Sequence, residues 1–188
     1  FEFLYSRMEL FTEYEERYFE TIVAGFIEEI ADYFEFIYKR KVEQVKKKLS
    51  EKEMIPLANQ AIDEFYYRIM YCEDLDDIPE NIITIIVTAY SKKLESIINE
   101  YFVVTISSED HKNKLREACY NLFSKNIFAD YYTGVVFAGF GEKDTFPVLV
   151  SYNVSGIIAG FLKKGIDGKV EINAKNDLKL FPLHKRIQ

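Results

Sequence analysis

A chain of 188 residues can bury a sizeable core in one domain, at most two. With 48% hydrophobic and 29% charged residues it has the balance of an ordinary globular protein. The net charge of −7 argues against nucleic acid as the main partner, because phosphate binding needs a concentrated basic surface. The 16 Phe and 14 Tyr, with no Trp, are expected to pack helix against helix and helix against sheet.

The first 50 residues read as one long helix, or two joined end to end. Phe19, Ile22, Val23, Phe26, Ile27, Ile30, Phe34 and Ile37 recur at three- and four-residue spacing and define one apolar face. Ten acids and two bases lie between Phe1 and Ile37, whereas seven bases and two acids lie between Tyr38 and Lys52. That segregation complements a helix macrodipole. The stripe is too wide for a coiled-coil seam, is interrupted at Ala24-Gly25, and suggests a helix lying on a sheet.

Ser50 and Glu53 have the spacing of a capping box, and Pro56 suits a helix start. They introduce a second helix over about Ile55–Cys72, with Leu57, Ala61, Phe65 and Ile69 inward. The acidic link from Glu73 to Asp77 lacks the Gly and the terminal Glu of a calcium loop, so it reads as solvated acids before a helix. A third helix follows over about Glu80–Phe102, with Ile82, Ile86, Ala89, Leu94, Ile97 and Tyr101 on one face. The run Ile82–Val87 is locally β-prone. Ser107 or Ser108 caps a fourth helix over about Glu109–Ser124, striped by Leu115, Ala118, Cys119 and Leu122.

From Tyr131 the pattern changes to β-branched and aromatic runs punctuated by glycine. Strands are expected over about Gly134–Phe140, Val148–Val154 and Ile157–Leu162, with a turn at Gly141-Glu142-Lys143-Asp144. Gly165-Ile166-Asp167-Gly168 reads as a further turn, Lys169–Asn173 as a returning strand, Asn176-Asp177 as another turn and Leu178–Leu183 as a last edge strand. The fold class is α+β: a helical layer over residues 1–127, then an antiparallel sheet over 131–183. The longest uncharged run, Thr145–Leu162, contains Pro147, Ser151, Asn153, Gly156 and Gly160 and reads as strand and turn, not as a membrane span.

The catalytic inventory is thin. His111 and His184 lie far apart with no metal-ligand spacing and read as surface histidines. Cys72 and Cys119 have no CxxC partner and read as buried thiols in a reduced, cytoplasmic protein. Ser151 and Ser155 become nucleophiles only if a base arrives from elsewhere. Gly134–Gly141 fails as a phosphate loop on spacing and context. No catalytic, cofactor-binding or metal residue is therefore assigned. No secretory signal is visible, and a first residue of Phe1 rather than Met points to processing or to a longer polypeptide.

Val136-Phe137-Ala138-Gly139-Phe140, then Pro147-Val148-Leu149-Val150-Ser151-Tyr152 and Gly156, resemble the second half of the N-terminal-nucleophile hydrolases, the proteasome β-type subunits and their bacterial relatives. Gly141 before Glu142 departs from that pattern, where an acid commonly follows the aromatic. The resemblance implies a helix–sheet–sheet–helix sandwich and a Thr, Ser or Cys nucleophile at a mature N-terminus. Phe1 is none of these, so the chain corresponds to the C-terminal part of such a hydrolase or of an inactive relative. The alternative is a non-enzymatic α+β interaction module. Either way the expected partner is protein, through self-association or partner subunits.

Overall fold

The structure, a computed structural model, describes residues 2–101, 108–128, 132–140 and 147–171. Ser107, the turn at 141–144, the turn at 176–177, the strand at 178–183 and His184 lie outside them. Four helices precede a three-stranded antiparallel sheet: α1 (Glu2–Val45), α2 (Glu51–Met70), α3 (Ile82–Tyr101), α4 (Glu109–Asn121), β1 (Thr133–Gly139), β2 (Val148–Ile158) and β3 (Phe161–Glu171), in the order β1-β2-β3. The expected α+β arrangement is thus what the chain adopts.

α1 is a single helix of 44 residues, about 66 Å long at 1.5 Å per residue. Its apolar stripe is buried as expected, against helices and against the end of β2. Phe19, Val23, Ile27 and Ile30 join one core with Ala61, Ile62, Phe65 and Ile69 of α2, Ile82, Ile86 and Leu94 of α3, and Leu115 and Cys119 of α4. Against α1 lie α2, α3 and, from the sheet, β2, so the expected contact of this helix with a sheet is present but shared with two helices. At the centre, Phe19 stacks on Tyr90 at 4.6 Å and on Phe123 at 5.3 Å between ring centroids. The macrodipole account also weakens, because the last turn of α1 contains no base and Lys46–Lys48 follow its end. Lys46 turns the chain out with φ of 53°, donating its N–H to the Val42 carbonyl.

The capping box forms. The Glu53 carboxylate accepts the Ser50 N–H at 2.9 Å and the Ser50 hydroxyl at 2.8 Å. These contacts, with Lys47, hold the Glu53 carboxyl down at about 2. Because α2 starts at Glu51, Pro56 falls in its second turn, on an exposed face where the missing N–H leaves a carbonyl to water. In α3 the β-prone run is helical: Ile82 and Ile86 are buried one turn apart, and helical packing overrides local propensity. Tyr90 takes the inward place expected of Ala89, which is exposed.

The strands depart most from expectation. β2 continues to Ile158, and the chain reverses at Ala159-Gly160, both at positive φ (50° and 79°), the signature of a two-residue hairpin turn. The expected strand Ile157–Leu162 is therefore a hairpin tip. The expected turn Gly165–Gly168 lies within β3, as does the start of the returning strand at Lys169. Asp-Gly marks a bulge here: Ser151 pairs with Gly168 and Tyr152 with Ile166, leaving Asp167 as the extra residue. A second irregularity sets Ser155 and Gly156 opposite Lys163.

Candidate functional site

The sheet is fastened to the helical body at one end. Ile158 is fully buried in the helical core. The Gly160 N–H donates to the Glu15 carboxylate at 3.0 Å, and the Tyr18 hydroxyl donates to Ser155 Oγ at 2.9 Å. A Cβ on Gly156 would come within 2.5 Å of the Tyr18 ring, so glycine is what lets β2 lie against α1. Gly156→Val is accordingly expected to lower stability by about 1–3 kcal/mol, read as a shift in the denaturation midpoint, while Gly134→Val, with nothing within 4 Å of its own Cβ position, is expected to leave the midpoint near wild type.

Lys163 completes this fastening. Its side chain is buried, and Nζ donates to the carbonyls of Leu122 and Ile127, each at 2.5 Å, with the Phe128 ring at 5.1 Å. Leu122 is the C-cap of α4, so the amine closes a helix end whose carbonyls lack partners of their own. Burial pushes its pKa down to about 7. Lys164 points elsewhere, to Asp77 at 2.9 Å.

That ion pair changes the reading of the acidic link. Asp74 meets Lys125 at 2.9 Å, Leu75 N–H donates to Ser124 O, and Asn126 N–H donates to Glu73 O. Two of the acids are therefore ties to α4's exit and to β3. Beside them lies a cleft of about 240 Å³ lined by Glu73, Asp76, Tyr152 and Ile166. Among the described residues no group of three or more His, Cys, Asp and Glu side chains could hold a metal ion.

The nucleophile candidates meet a carboxylate and a phenol. Ser151 Oγ donates to Asp167 Oδ2 at 3.3 Å, inside the bulge, and Ser155 accepts from Tyr18, whose pKa is raised by burial. Cys119 is buried and its thiol pushed up by desolvation; Cys72 is half-buried, donating to Arg68 O. His111 gains partners. Its Nδ1 lies 3.0 Å from Ser108 Oγ and its Nε2 3.4 Å from Asp63 Oδ2, beside an open groove of about 580 Å³. Hydroxyl, imidazole and carboxylate fall in line, but Ser108 is the N-cap of α4, accepting the His111 N–H at 3.3 Å, and Asp63 also binds Lys114 at 2.8 Å. The arrangement ties α4 to α2. The surface histidine expected from sequence is a half-buried connector.

What the sheet exposes is different in kind. Six of the seven β1 residues are exposed, and Val136 (54%) and Phe137 (62%) are bare apolar side chains, followed by Phe140 (69%). Among the described residues β1 is paired on one side only, by β2 from Thr133↔Val154 to Gly139↔Val148. The two edges of the sheet are unlike. β3 carries Lys163, Lys164, Asp167 and Lys169, an inward-pointing amine and two irregularities, the devices that stop a strand edge from pairing. β1, Thr-Gly-Val-Val-Phe-Ala-Gly, carries no charge, no proline and no bulge. Sequence reasoning identified the strand without identifying this asymmetry, which depends on where β3 begins and ends. No helix of the described residues is long and apolar enough to cross a membrane. Comparison with protein families, curated proteins and solved structures finds no match to this chain.

Proposed function

We propose that this chain acts by association: it is an α+β interaction module that offers β1 as a strand edge to another polypeptide segment. The observation that carries this reading is the contrast between a guarded β3 and a bare β1. Strand addition to such an edge draws its affinity from main-chain hydrogen bonds and its selectivity from alternate side chains, here Val135 and Phe137 on one face and Val136 on the other. Hydrogen exchange tests it. In the protein isolated as its native assembly, the outward amides of Thr133–Gly139 are expected to exchange at least about tenfold more slowly than in the dilute chain. Equal, fast exchange in both would overturn the reading.

The open edge favours a second reading as well. In a proteasome-like hydrolase, further strands of the same polypeptide would pair with β1, and this chain would supply sheet and helical layer, not the nucleophile. The test is the mass and first residue of the natural polypeptide: an upstream Thr, Ser or Cys at a processed terminus, followed by peptide hydrolysis, would support it.

A further inference from the structure

We infer that the segment occupying β1 is the β1 strand of a second copy of this chain, joined antiparallel across a two-fold axis at Val136. The inference rests on the reading of β1 as an association edge and names its occupant. Three observations select a copy. The strand is uncharged in a molecule of net charge −7, so two copies can meet along β1 without setting like charges against each other at the seam. Head-to-tail pairing of β1 with β3 is blocked by the charges and bulges of β3, which leaves the isologous arrangement as the way two copies share a sheet. The residue order is also self-complementary. With Val136 on the axis, Val135 faces the partner's Phe137, Thr133 faces the partner's Gly139, and all seven positions pair.

The faces agree with this register. Alternation along the strand puts Val135 and Phe137 on the same side as Val150 and Tyr152 of β2. There Phe137 already meets Tyr152 edge to face at 5.9 Å. The partner's Val135 extends that cluster as an aromatic against a β-branched side chain, a favourable cross-strand pair. On the opposite face Val136 meets its own copy, flanked by Gly134 and Ala138. The result is one continuous six-stranded sheet with order β3-β2-β1-β1-β2-β3.

Sedimentation equilibrium of the full chain provides the test. The 22.1 kDa chain is expected to sediment at twice its mass, and Val136→Lys, which sets two ammonium groups face to face, is expected to weaken the dimer by about tenfold or more. Ile166→Lys, an exposed position on β3, is expected to leave it intact. A second variant guards against misfolding: in a Cys72→Ser background, Val136→Cys is expected to form a disulfide between copies on mild oxidation, while Thr133→Cys, which faces glycine, does not. A dimer indifferent to Val136→Lys, with no cross-link at 136, overturns the two-fold strand pairing. A monomer at every concentration whose β1 amides exchange fast overturns the second copy and leaves strand addition from a different protein standing. A monomer whose β1 amides are already protected overturns both, since the chain then covers its own edge.

Discussion

Phe19→Ala is expected to cost about 3–5 kcal/mol. Phe19 is fully buried, and its ring is held between Tyr90 of α3 and Phe123 at the exit of α4. It also neighbours Tyr18, whose own ring meets Phe123 edge to face at 5.9 Å and whose hydroxyl reaches the sheet. One truncation therefore opens a cavity at the place where α1, α3, α4 and β2 converge. Urea denaturation followed by circular dichroism measures it, and a cost under about 1 kcal/mol, typical of a surface substitution, would show that the stack does not hold these elements together. The same core keeps Tyr90 protonated, its pKa pushed up to about 12 by burial and by Glu15.

The second large effect is a dependence on pH at Lys163. Its folded pKa, lowered by burial to about 7, lies well below its ordinary value of 10.5. The unfolded chain therefore binds the proton more tightly than the folded one between those values. Stability contributed by the neutral amine is absent below pH 7 and grows as pH rises toward 10.5. Cys119 and the tyrosines, all raised, work oppositely once pH exceeds their unfolded values near 9 and 10. The clean window is pH 7–9, where the wild type is expected to gain about 1–3 kcal/mol. Lys163→Met, which keeps the length and loses the amine, is expected to be flat there. The difference between the two curves isolates the residue. If both rise or both stay level, the Leu122 and Ile127 carbonyls and the α4 terminus hold the amine charged, and the shift assigned to burial is wrong.

The helical two-thirds were legible because their information is local and periodic. Phe19, Ile22, Val23, Phe26, Ile27 and Ile30 announce α1 without knowledge of what they touch, and the Ser50–Glu53 box marks the start of α2 at Glu51, four residues before the expected Ile55. What they touch was less legible: a wide apolar stripe serves equally against a sheet or between helices, and α1 meets both β2 and its neighbouring helices. In the sheet, glycine was ambiguous. Gly160 makes a turn, Gly156 makes room for Tyr18, and Gly165 lies where a Cβ would strike Asn126 and the Phe128 ring, yet all three look alike as punctuation. Reading Gly165 and Gly168 as turn residues divided β3 in two and hid the charged edge that distinguishes it from β1. The connector role of His111 was hidden for another reason: Asp63 is 48 residues away, and only the packing of α2 on α4 brings it near.

The unlike edges of the sheet bear on how large an assembly can grow. A strand edge that accepts a neighbour and offers another edge beyond it propagates, and repetition of that step is what builds a fibre. Among the described residues, any strand that adds to β1 finds a sheet whose far side ends in Lys163, Lys164, Asp167 and two register breaks. If a second copy adds there, growth through the described strands stops after one addition. On the association proposed above, the chain would act as a chain stopper, and resistance to fibre growth would rest on keeping β3 charged more than on keeping β1 hidden.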